Sequence, residues 1–366
     1  MRRTPALIVG GGPAGSAAAI ALARSGREVT LIERSASPSD KVCGDFLSVE
    51  AVNAIAECGV DLAAFAPAPI GHVRLIHGTR SATVRLPFAA LGLTRRALDE
   101  ALLRRAEDCG AIVFRGQSVR GIRTGEPSIR VDCGPLGLLE SKAVFLATGK
   151  HNLRGVPRQA RSRRLVGLKM YYALDPTQAA ELRGHIELVL FPGGYAGLQL
   201  VEGDRAVLCA LLPDGRLRSS NALADECPHL AARLSGARAL LVSPLAIADL
   251  PYGYVHRGTR EEPPGLFRLG DQAAVIPSLT GDGVALAMAS ATLAARTWLQ
   301  GGSSTQYYQH LATRLSSQMR LARGIHWMCT SQLLQPWTVV VGQAWPAAVR
   351  FVSNWTRSEI ISPHSA

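Results

Sequence analysis

Three glycines near the start of the chain stand at a spacing that suits the binding of a nucleotide pyrophosphate. Gly10, Gly12 and Gly15 follow the apolar run 6–9 and lead into an alanine-rich segment, so a strand, a tight turn and a helix arrive in that order. Side chains at these positions would obstruct the turn or the phosphate, whereas the unpaired N–H groups of a helix N-terminus attract an anion. The sequence predicts a dinucleotide site formed by these glycines and Ala14.

An acidic residue follows at the tip of the next predicted strand. The strand is expected over 28–32, and Glu33 stands 23 residues after Gly10. An acid at this point accepts hydrogen bonds from the hydroxyls of an adenosine ribose. Arg34 comes directly after it and is expected at the same site. These features leave open whether the dinucleotide is NAD or FAD.

Three later motifs favour FAD. They are residues 94–99 (TRRALD), residues 145–149 (FLATG), and the pair 266–271 (LFRLGD) with 279–283 (LTGDG). Together with the glycine turn they resemble the FAD-containing superfamily that includes para-hydroxybenzoate hydroxylase and the geranylgeranyl reductases. The resemblance spans residues 6–299.

The resemblance implies further cofactor contacts. Arg95 begins a helix and contacts the cofactor, and the backbone near Val119 lies beside the adenine. Asp271 bonds the ribityl or pyrophosphate part of FAD. Gly281, Asp282 and Gly283 then begin a helix whose N-terminus points at the flavin, where it stabilises negative charge.

The sequence also departs from parts of this superfamily. Thr148-Gly149-Lys150 replaces the Asp-Gly segment of the aromatic hydroxylases, which argues against NADPH-dependent aromatic hydroxylation. The Trp-x-Trp-x-Ile-Pro signature of flavin halogenases is missing from the sequence, which argues against halogenation.

A cysteine and a glycine are placed closest to the expected chemistry. Residues 41–48 (KVCGDFLS) are similar to the Cys-Gly segment of the geranylgeranyl reductases, which passes beside the flavin into the substrate cavity. Gly44 would let the backbone approach the ring system. Cys43 is the candidate catalytic residue, as a proton donor, lining residue or gate, because a thiol can protonate a carbanion. The alternative is that Cys43 is a small core residue.

The elements that position these residues predict a mixed α/β fold. The four strands 111–114, 119–124, 128–133 and 138–142 are expected to form a small β-meander, and residues 145–149 a separate buried strand. We expect a Rossmann-like FAD-binding domain (1–70, 92–160 and 258–305), an inserted antiparallel β-sheet substrate domain (71–91 and 161–257) and a helical C-terminal cap (306–366). The substrate strands are expected over 165–174, 185–191, 195–201 and 205–212, and their apolar faces predict a hydrophobic small-molecule substrate.

Composition limits the other functions. The formal charge of +12 includes only four lysines, the arginines are scattered, and aromatic residues make up 5%, which argues against nucleic acid. The seven cysteines lack metal-ligand spacing, so we predict reduced thiols, a cytoplasmic protein and no metal site. Four of the five tryptophans follow residue 306, so the cap is expected either to pack as a lid or to touch the inner face of a membrane.

The sequence therefore predicts an FAD-dependent oxidoreductase acting on an isoprenoid, polyketide or lipid-like compound by double-bond reduction or dehydrogenation. NAD(P)H or a reduced carrier would supply electrons. Two alternatives stay open: a flavin-dependent monooxygenase acting through a C4a-hydroperoxide, and a non-catalytic basic binding protein that kept the flavin fold. The oligomeric state is not indicated.

Overall fold

The computed structural model describes residues 2–125, 128–158, 165–213, 220–259 and 261–355. The strands are β1 (Arg2–Val9), β2 (Val29–Glu33), β3 (Phe46–Leu47), β4 (Ala68–His77), β5 (Arg80–Gly92), β6 (Ile112–Arg115), β7 (Gly121–Arg123), β8 (Ile129–Asp132), β9 (Leu138–Leu146), β10 (Leu165–Ala173), β11 (Gly184–Phe191), β12 (Gly194–Val201), β13 (Arg205–Pro213), β14 (Arg238–Ala239), β15 (Leu245–Ile247), β16 (Tyr254–Val255), β17 (Leu266–Arg268) and β18 (Ala274–Val275). The helices are α1 (Pro13–Arg24), α2 (Val49–Glu57), α3 (Arg95–Asp108), α4 (Pro176–Leu182), α5 (Ser220–Glu226), α6 (Pro228–Arg233), α7 (Gly283–Leu299), α8 (Ser304–Thr330), α9 (Gln335–Ala344) and α10 (Pro346–Trp355).

The first sheet carries the glycine turn. Within the described residues its strands run in the order β6-β2-β1-β9-β8-β7, and β17 pairs with the second half of β9. β6, β2, β1, β9 and β17 are parallel, as expected when helices cross over between strands. The alanine-rich helices α1 and α7 and the apolar face of α3 share one buried core with this sheet. This packing brings the N-termini of α1 and α7 to the same region of the molecule.

The second sheet is mostly antiparallel. Its order in the described part of the chain is β14-β10-β13-β12-β11-β4-β5-β3, with β15 also paired to β10. Strands β4 and β11 pair in parallel. This pairing joins β3, β4 and β5, which precede α3, to strands β10 to β13. One side of the sheet packs against α4, α5 and α6 through Leu182, Leu223 and Leu230.

A row of side chains crosses the other side of this sheet. The strand registers place these residues side by side on one face: Lys169, Cys209, Gly197, Leu188, Leu75 and Ala82. At one end of the row Cys209 lines a cavity of about 640 Å³, which is described below. At the other end α9 packs closely, since a Cβ on Gly342 would stand 3.0 Å from the Ala82 Cβ. The cavity and the C-terminal helices therefore share one face of the sheet.

The predicted fold class is confirmed, and two strand predictions are wrong. The expected strand 111–114 is β6, which pairs in parallel with β2 instead of joining the antiparallel meander. The expected strand 138–142 and the buried strand at 145–149 are one continuous strand, Leu138–Leu146, because its first half pairs with β8 and its second half with β17. The domain boundaries stay a prediction, and residues 356–366 of the expected cap lie outside the described residues.

Every helix in the described ranges is too short or too polar to cross a bilayer.

Candidate active site

One cavity of about 640 Å³ is lined by residues of both sheets. Its volume lies inside the range of about 300 to 1,000 Å³ that is usual for small-molecule sites. The predicted site residues that line it are Gly10, Gly12, Ala14, Glu33, Arg34, Cys43, Gly44, Arg95, Val119, Asp271, Gly281 and Gly283. Residues far apart in sequence thus meet at one cavity, and only Gly15 and Asp282 of the predicted set lie outside the lining.

The glycine turn needs its glycines for different reasons. Gly10 has a φ of +105°, and a Cβ there would stand 2.4 Å from the Ala147 carbonyl oxygen. A Cβ on Gly15 would stand 1.8 Å from the Gly10 carbonyl oxygen, so this glycine lets α1 pack against the turn rather than touching a ligand. Gly12 has an ordinary extended backbone and opens toward the cavity as the N-cap of α1.

Glu33 ties the end of β2 to this turn. Its Oε2 accepts a hydrogen bond from the Gly11 N–H at 2.6 Å, and its Oε1 accepts one from the Ser35 N–H at 2.8 Å. A carboxylate has about four acceptor positions, so it can accept further hydrogen bonds from a ribose. Arg34 reaches the ring of His151, with 2.9 Å between Nη2 and Nε2, and both residues line the cavity.

Arg95 presents a fixed positive charge beside the turn. Its Nε and Nη2 donate to the two carboxylate oxygens of Asp99 at 2.6 and 2.8 Å, which holds the guanidinium in one orientation. Burial disfavours the charge, but the Asp99 carboxylate outweighs burial and raises the pKa of Arg95. The guanidinium lies next to the Gly12 position, where a Cβ would stand 3.3 Å from Nη2. Arg95 is therefore placed to face an anion at the N-terminus of α1.

The motif at residues 279–283 brings the N-terminus of α7 to the cavity. Gly281 has a φ of +73°, and a Cβ there would stand 2.7 Å from the Phe46 ring. Gly281 and Gly283 line the cavity at the start of α7, and Asp271 lines it nearby. Asp282 differs from the expectation, because it is buried as the N-cap residue of α7 and does not line the cavity.

These features fit FAD. The turn leaves no room for a side chain at Gly10, two helix N-termini face one cavity, and Arg95 stands beside the first of them. The phosphates would lie against Gly12, Ala14 and Arg95, the adenosine ribose against Glu33, and the flavin end toward the start of α7.

A buried charge network lies directly after Cys43 and Gly44. Asp45 has a φ of +55°, and its Oδ2 accepts hydrogen bonds from Lys169 Nζ and Tyr171 Oη, each at 2.6 Å. The side chains of Asp45 and Lys169 are both fully buried. Lys169 also donates to the Lys41 carbonyl oxygen at 3.0 Å, so it bonds the chain on both sides of Cys43.

The same network connects the second sheet to the start of α3, which packs against the first sheet. Asp45 Oδ1 accepts from the Arg95 N–H at 3.2 Å, and the Asp45 carbonyl oxygen accepts from Gln199 Nε2 at 3.0 Å. Burial, together with the Asp45 carboxylate, raises the pKa of Tyr171 and keeps its proton on the phenol. Sequence reasoning missed this network, although a lysine in the otherwise apolar strand β10 was a usable signal.

The far end of the cavity is lined by apolar side chains. Its main polar feature is a short series of hydrogen-bonded hydroxyl groups. Leu211, Ile247 and Leu250 line it and pack together. Tyr252 donates to the Ser278 hydroxyl at 2.9 Å, and the Tyr195 hydroxyl lies 2.7 Å from the same oxygen. Tyr252, which lines the cavity, was not predicted as a site residue, because only the fold brings it to Ser278.

The chain is similar to known flavoproteins. Residues 3–133 match the family described as FAD binding domain. A menaquinone reductase of Mycolicibacterium smegmatis is 27% identical over 348 residues, which cover 87% of this chain and 84% of that protein. The flavin-dependent brominase Bmp2 shares the fold with a TM-score of 0.79 at 16% identity, covering 97% of this chain and 93% of that chain.

A reductase structure has the same fold. The geranylgeranyl bacteriochlorophyll reductase-like protein of Thermoplasma acidophilum has a TM-score of 0.73 at 19% identity, covering 99% of this chain and 98% of that one. The family match and the menaquinone reductase confirm the predicted resemblance, and the two solved structures confirm the fold. Residues 3–133 therefore form a domain of the FAD-binding family, the glycine turn and the motif 279–283 meet at one cavity, and the chain is an FAD-dependent oxidoreductase.

Proposed function

We propose that this flavoprotein reduces a carbon–carbon double bond, or forms one by dehydrogenation, in a hydrophobic substrate of the isoprenoid or isoprenoid-quinone class. The observation that carries the proposal is that one cavity includes both the glycine turn and the apolar wall of Leu211, Ile247 and Leu250. An apolar wall favours a substrate whose reacting part is a hydrocarbon. The similarity to a menaquinone reductase over most of both chains supports the same substrate class.

The chain's own residues would orient the substrate and move a proton. Bound FAD supplies the hydride chemistry of such a reaction. The carbon next to the hydride acceptor also needs a proton, and the Cys43 thiol lines the cavity where it can donate one. Lys169 and Asp45 hold the backbone on either side of Cys43, and Gly44 leaves room beside it. Cys43 is therefore the proposed proton donor.

Anaerobic turnover tests this reaction. The FAD-loaded protein, reduced with dithionite, is mixed with an isoprenoid quinone or a geranylgeranyl compound, and the products are separated by mass spectrometry. After any quinol is reoxidised in air, we expect a product whose isoprenoid chain has gained two hydrogen atoms, and we expect it only when the protein is present. In air, a product that gains an oxygen atom would support a monooxygenase, and a product that gains bromine or chlorine from added halide would support a halogenase; either would overturn the proposal.

The electron donor is tested by the loss of flavin absorbance. We propose that NAD(P)H or a reduced carrier supplies electrons, and stopped-flow mixing without oxygen measures the rate for each. Reduction by NADH or NADPH within the turnover time supports direct donation. If neither nucleotide reduces the flavin, a reduced protein carrier is the donor to test.

A further inference from the structure

Exposed large apolar side chains gather in the last three helices. Among the described residues, eleven such side chains are exposed, and eight of them lie between positions 327 and 355. The eight are Trp327, Met328, Leu333, Trp337, Val341, Trp345, Phe351 and Trp355, which we name the tryptophan face. Each of its four tryptophans is at least 60% exposed. Leaving this much aromatic surface in water is unfavourable, and such patches mark interaction sites.

The helical periodicity places the residues of this face on the side that points away from the protein. In α9, Val339 and Gly342 are buried against the second sheet, whereas Trp337 and Val341 point the other way, one turn apart. Trp345 continues the same row just past the helix. In α10, Phe351 and Trp355 stand one turn apart and stack with their ring centroids at 5.3 Å.

Charge is distributed in a way that complements an anionic surface. Between Asp282 and Glu359 the sequence has six arginines and no acidic residue, so this stretch carries half of the formal charge of +12. Arg320 and Arg350 are exposed beside the apolar residues of α8 and α10. Tryptophan with arginine is the side-chain pair that favours the interface between lipid headgroups and acyl chains.

The tryptophan face adjoins the apolar end of the cavity. Cys329 and Ile325, on the inner side of α8, pack with Leu211 and Leu250 of the cavity wall. His326 contacts the edge of the Tyr252 ring at a centroid distance of 5.5 Å. The helical turn that carries Trp327 and Met328 outward therefore covers the substrate end of the cavity with its inner side.

We propose that the tryptophan face docks the protein on an anionic lipid bilayer, with α9 and α10 lying in the interface. Each of these helices has ten residues, about 15 Å of helix, which is too short to cross a hydrocarbon core about 30 Å thick but can lie in the interface. Docking would place the apolar end of the cavity near the acyl chains. This inference concerns where the protein binds and does not depend on the reaction proposed above.

Vesicle flotation of the full FAD-loaded chain tests the docking. The vesicles contain equal parts of phosphatidylglycerol and phosphatidylcholine, or phosphatidylcholine alone. We expect the chain to float with the anionic vesicles, with a blue-shifted tryptophan emission, and to bind the neutral ones at least about tenfold more weakly. Salt at about 1 M should weaken the binding, because it screens the arginines.

Substitutions separate the contribution of the tryptophans to binding from that of the arginines. The double variant Trp337→Ser, Trp345→Ser should lower the ratio of bound to free protein about tenfold or more. The variant Arg320→Gln, Arg350→Gln should remove most of the preference for anionic lipid. Leu138→Ser and Val242→Ser are matched controls, because they are exposed apolar residues away from the tryptophan face, and should float like the original chain.

Three outcomes would overturn the proposal. The original chain could stay with the unbound fraction in low salt, or it could bind neutral and anionic vesicles equally. Light scattering could instead show a dimer that Trp337→Ser, Trp345→Ser dissociates, without any flotation, and the face would then be an interface between two copies. Retained FAD and an unchanged unfolding temperature show that a variant is folded.

Discussion

Removing the Cys43 thiol tests whether it takes part in turnover, because FAD binding and folding should not need it. Its thiol lines the cavity, but none of the described hydrogen bonds of the fold depends on it. We expect Cys43→Ala to keep FAD at full occupancy and to lower kcat about 10²- to 10⁴-fold, the usual loss on removing a general acid. Absorbance at the flavin band measures occupancy, and single-turnover kinetics measure the loss. Cys109→Ala, at the end of α3, is the control.

A second readout separates proton donation from packing. Cys43→Ser keeps the size but has a far less acidic proton, so it should recover packing without recovering turnover. If Cys43→Ala turns over at the original rate, the thiol has no part in proton transfer.

Replacing Lys169 should lower the free energy of unfolding strongly. Both it and Asp45 are fully buried, so Lys169→Met leaves an uncompensated carboxylate in the interior. We expect the free energy of unfolding to fall by about 3 to 5 kcal/mol. Urea unfolding monitored by circular dichroism gives the value.

The double variant Asp45→Asn, Lys169→Met tests the cause. It removes both charges, and asparagine tolerates the positive φ of position 45, so most of the stability should return. A double variant as unstable as Lys169→Met would show that packing, rather than the unpaired charge, causes the loss.

The phosphate contact of the glycine turn can be tested without disturbing the fold. Gly12 has an unstrained backbone, and a Cβ there meets only the Arg95 guanidinium, at 3.3 Å. Gly12→Ala should therefore fold normally but bind FAD at least about tenfold more weakly, because the methyl group occupies the approach of the pyrophosphate. Titration with FAD, followed by flavin fluorescence, measures the affinity.

Gly324→Ala is the matched control for this substitution. It lies in α8 with open space around a Cβ, so it should bind FAD normally and be slightly stabilised. Unchanged FAD affinity in Gly12→Ala would place the pyrophosphate elsewhere.

The hydrogen bonds that attach α6 to the second sheet should weaken at acid pH. Burial alone would raise the pKa of Glu187, but hydrogen bonds from His229 and Arg233 outweigh it and lower the pKa to about 2 from 4.5. A lowered carboxyl pKa stabilises the fold above pH 4.5, and this contribution is lost as the pH falls toward 2. The difference corresponds to about 3 kcal/mol.

Glu187→Gln should remove this part of the pH dependence. Its free energy of unfolding is expected to change less than that of the original chain across the same pH window, as measured by urea unfolding at each pH. Glu181→Gln, which alters a more exposed partner of Arg233, should keep the original slope. Equal slopes for Glu187→Gln and the original chain would contradict the assignment.

The sequence predicted those elements whose signals are local. The glycine turn, α1, α7 and the strands β10 to β13 follow from spacing and periodicity within a few residues. The parallel pairing of β4 with β11 did not follow, because it joins residues more than 100 positions apart. The network of Asp45 with Lys169 and Tyr171 was missed for the same reason: its partners are over 120 positions away, and only the fold brings them together.

Bound FAD should couple the stability of the first sheet to that of the second. The cavity is lined by the glycine turn of the first sheet and by Gly167 and Cys209 of the second, and Asp45 bonds Gln199 of the second sheet and the start of α3, which packs against the first. A ligand that binds only the folded state stabilises it by about 4 kcal/mol at 1,000 times its dissociation constant. Removing FAD should therefore lower the unfolding temperature of both sheets together.

Two probes of thermal unfolding check this coupling. Flavin fluorescence reports release of the cofactor, and far-ultraviolet circular dichroism reports both sheets. For the loaded protein we expect the two transitions to coincide, and for the FAD-free protein a single dichroism transition that moves about 4 to 8 °C lower or more, toward the value reached by Gly12→Ala. If FAD removal instead splits the dichroism trace, or leaves its midpoint unchanged, the second sheet unfolds independently of the cofactor, and the cavity does not couple the two sheets.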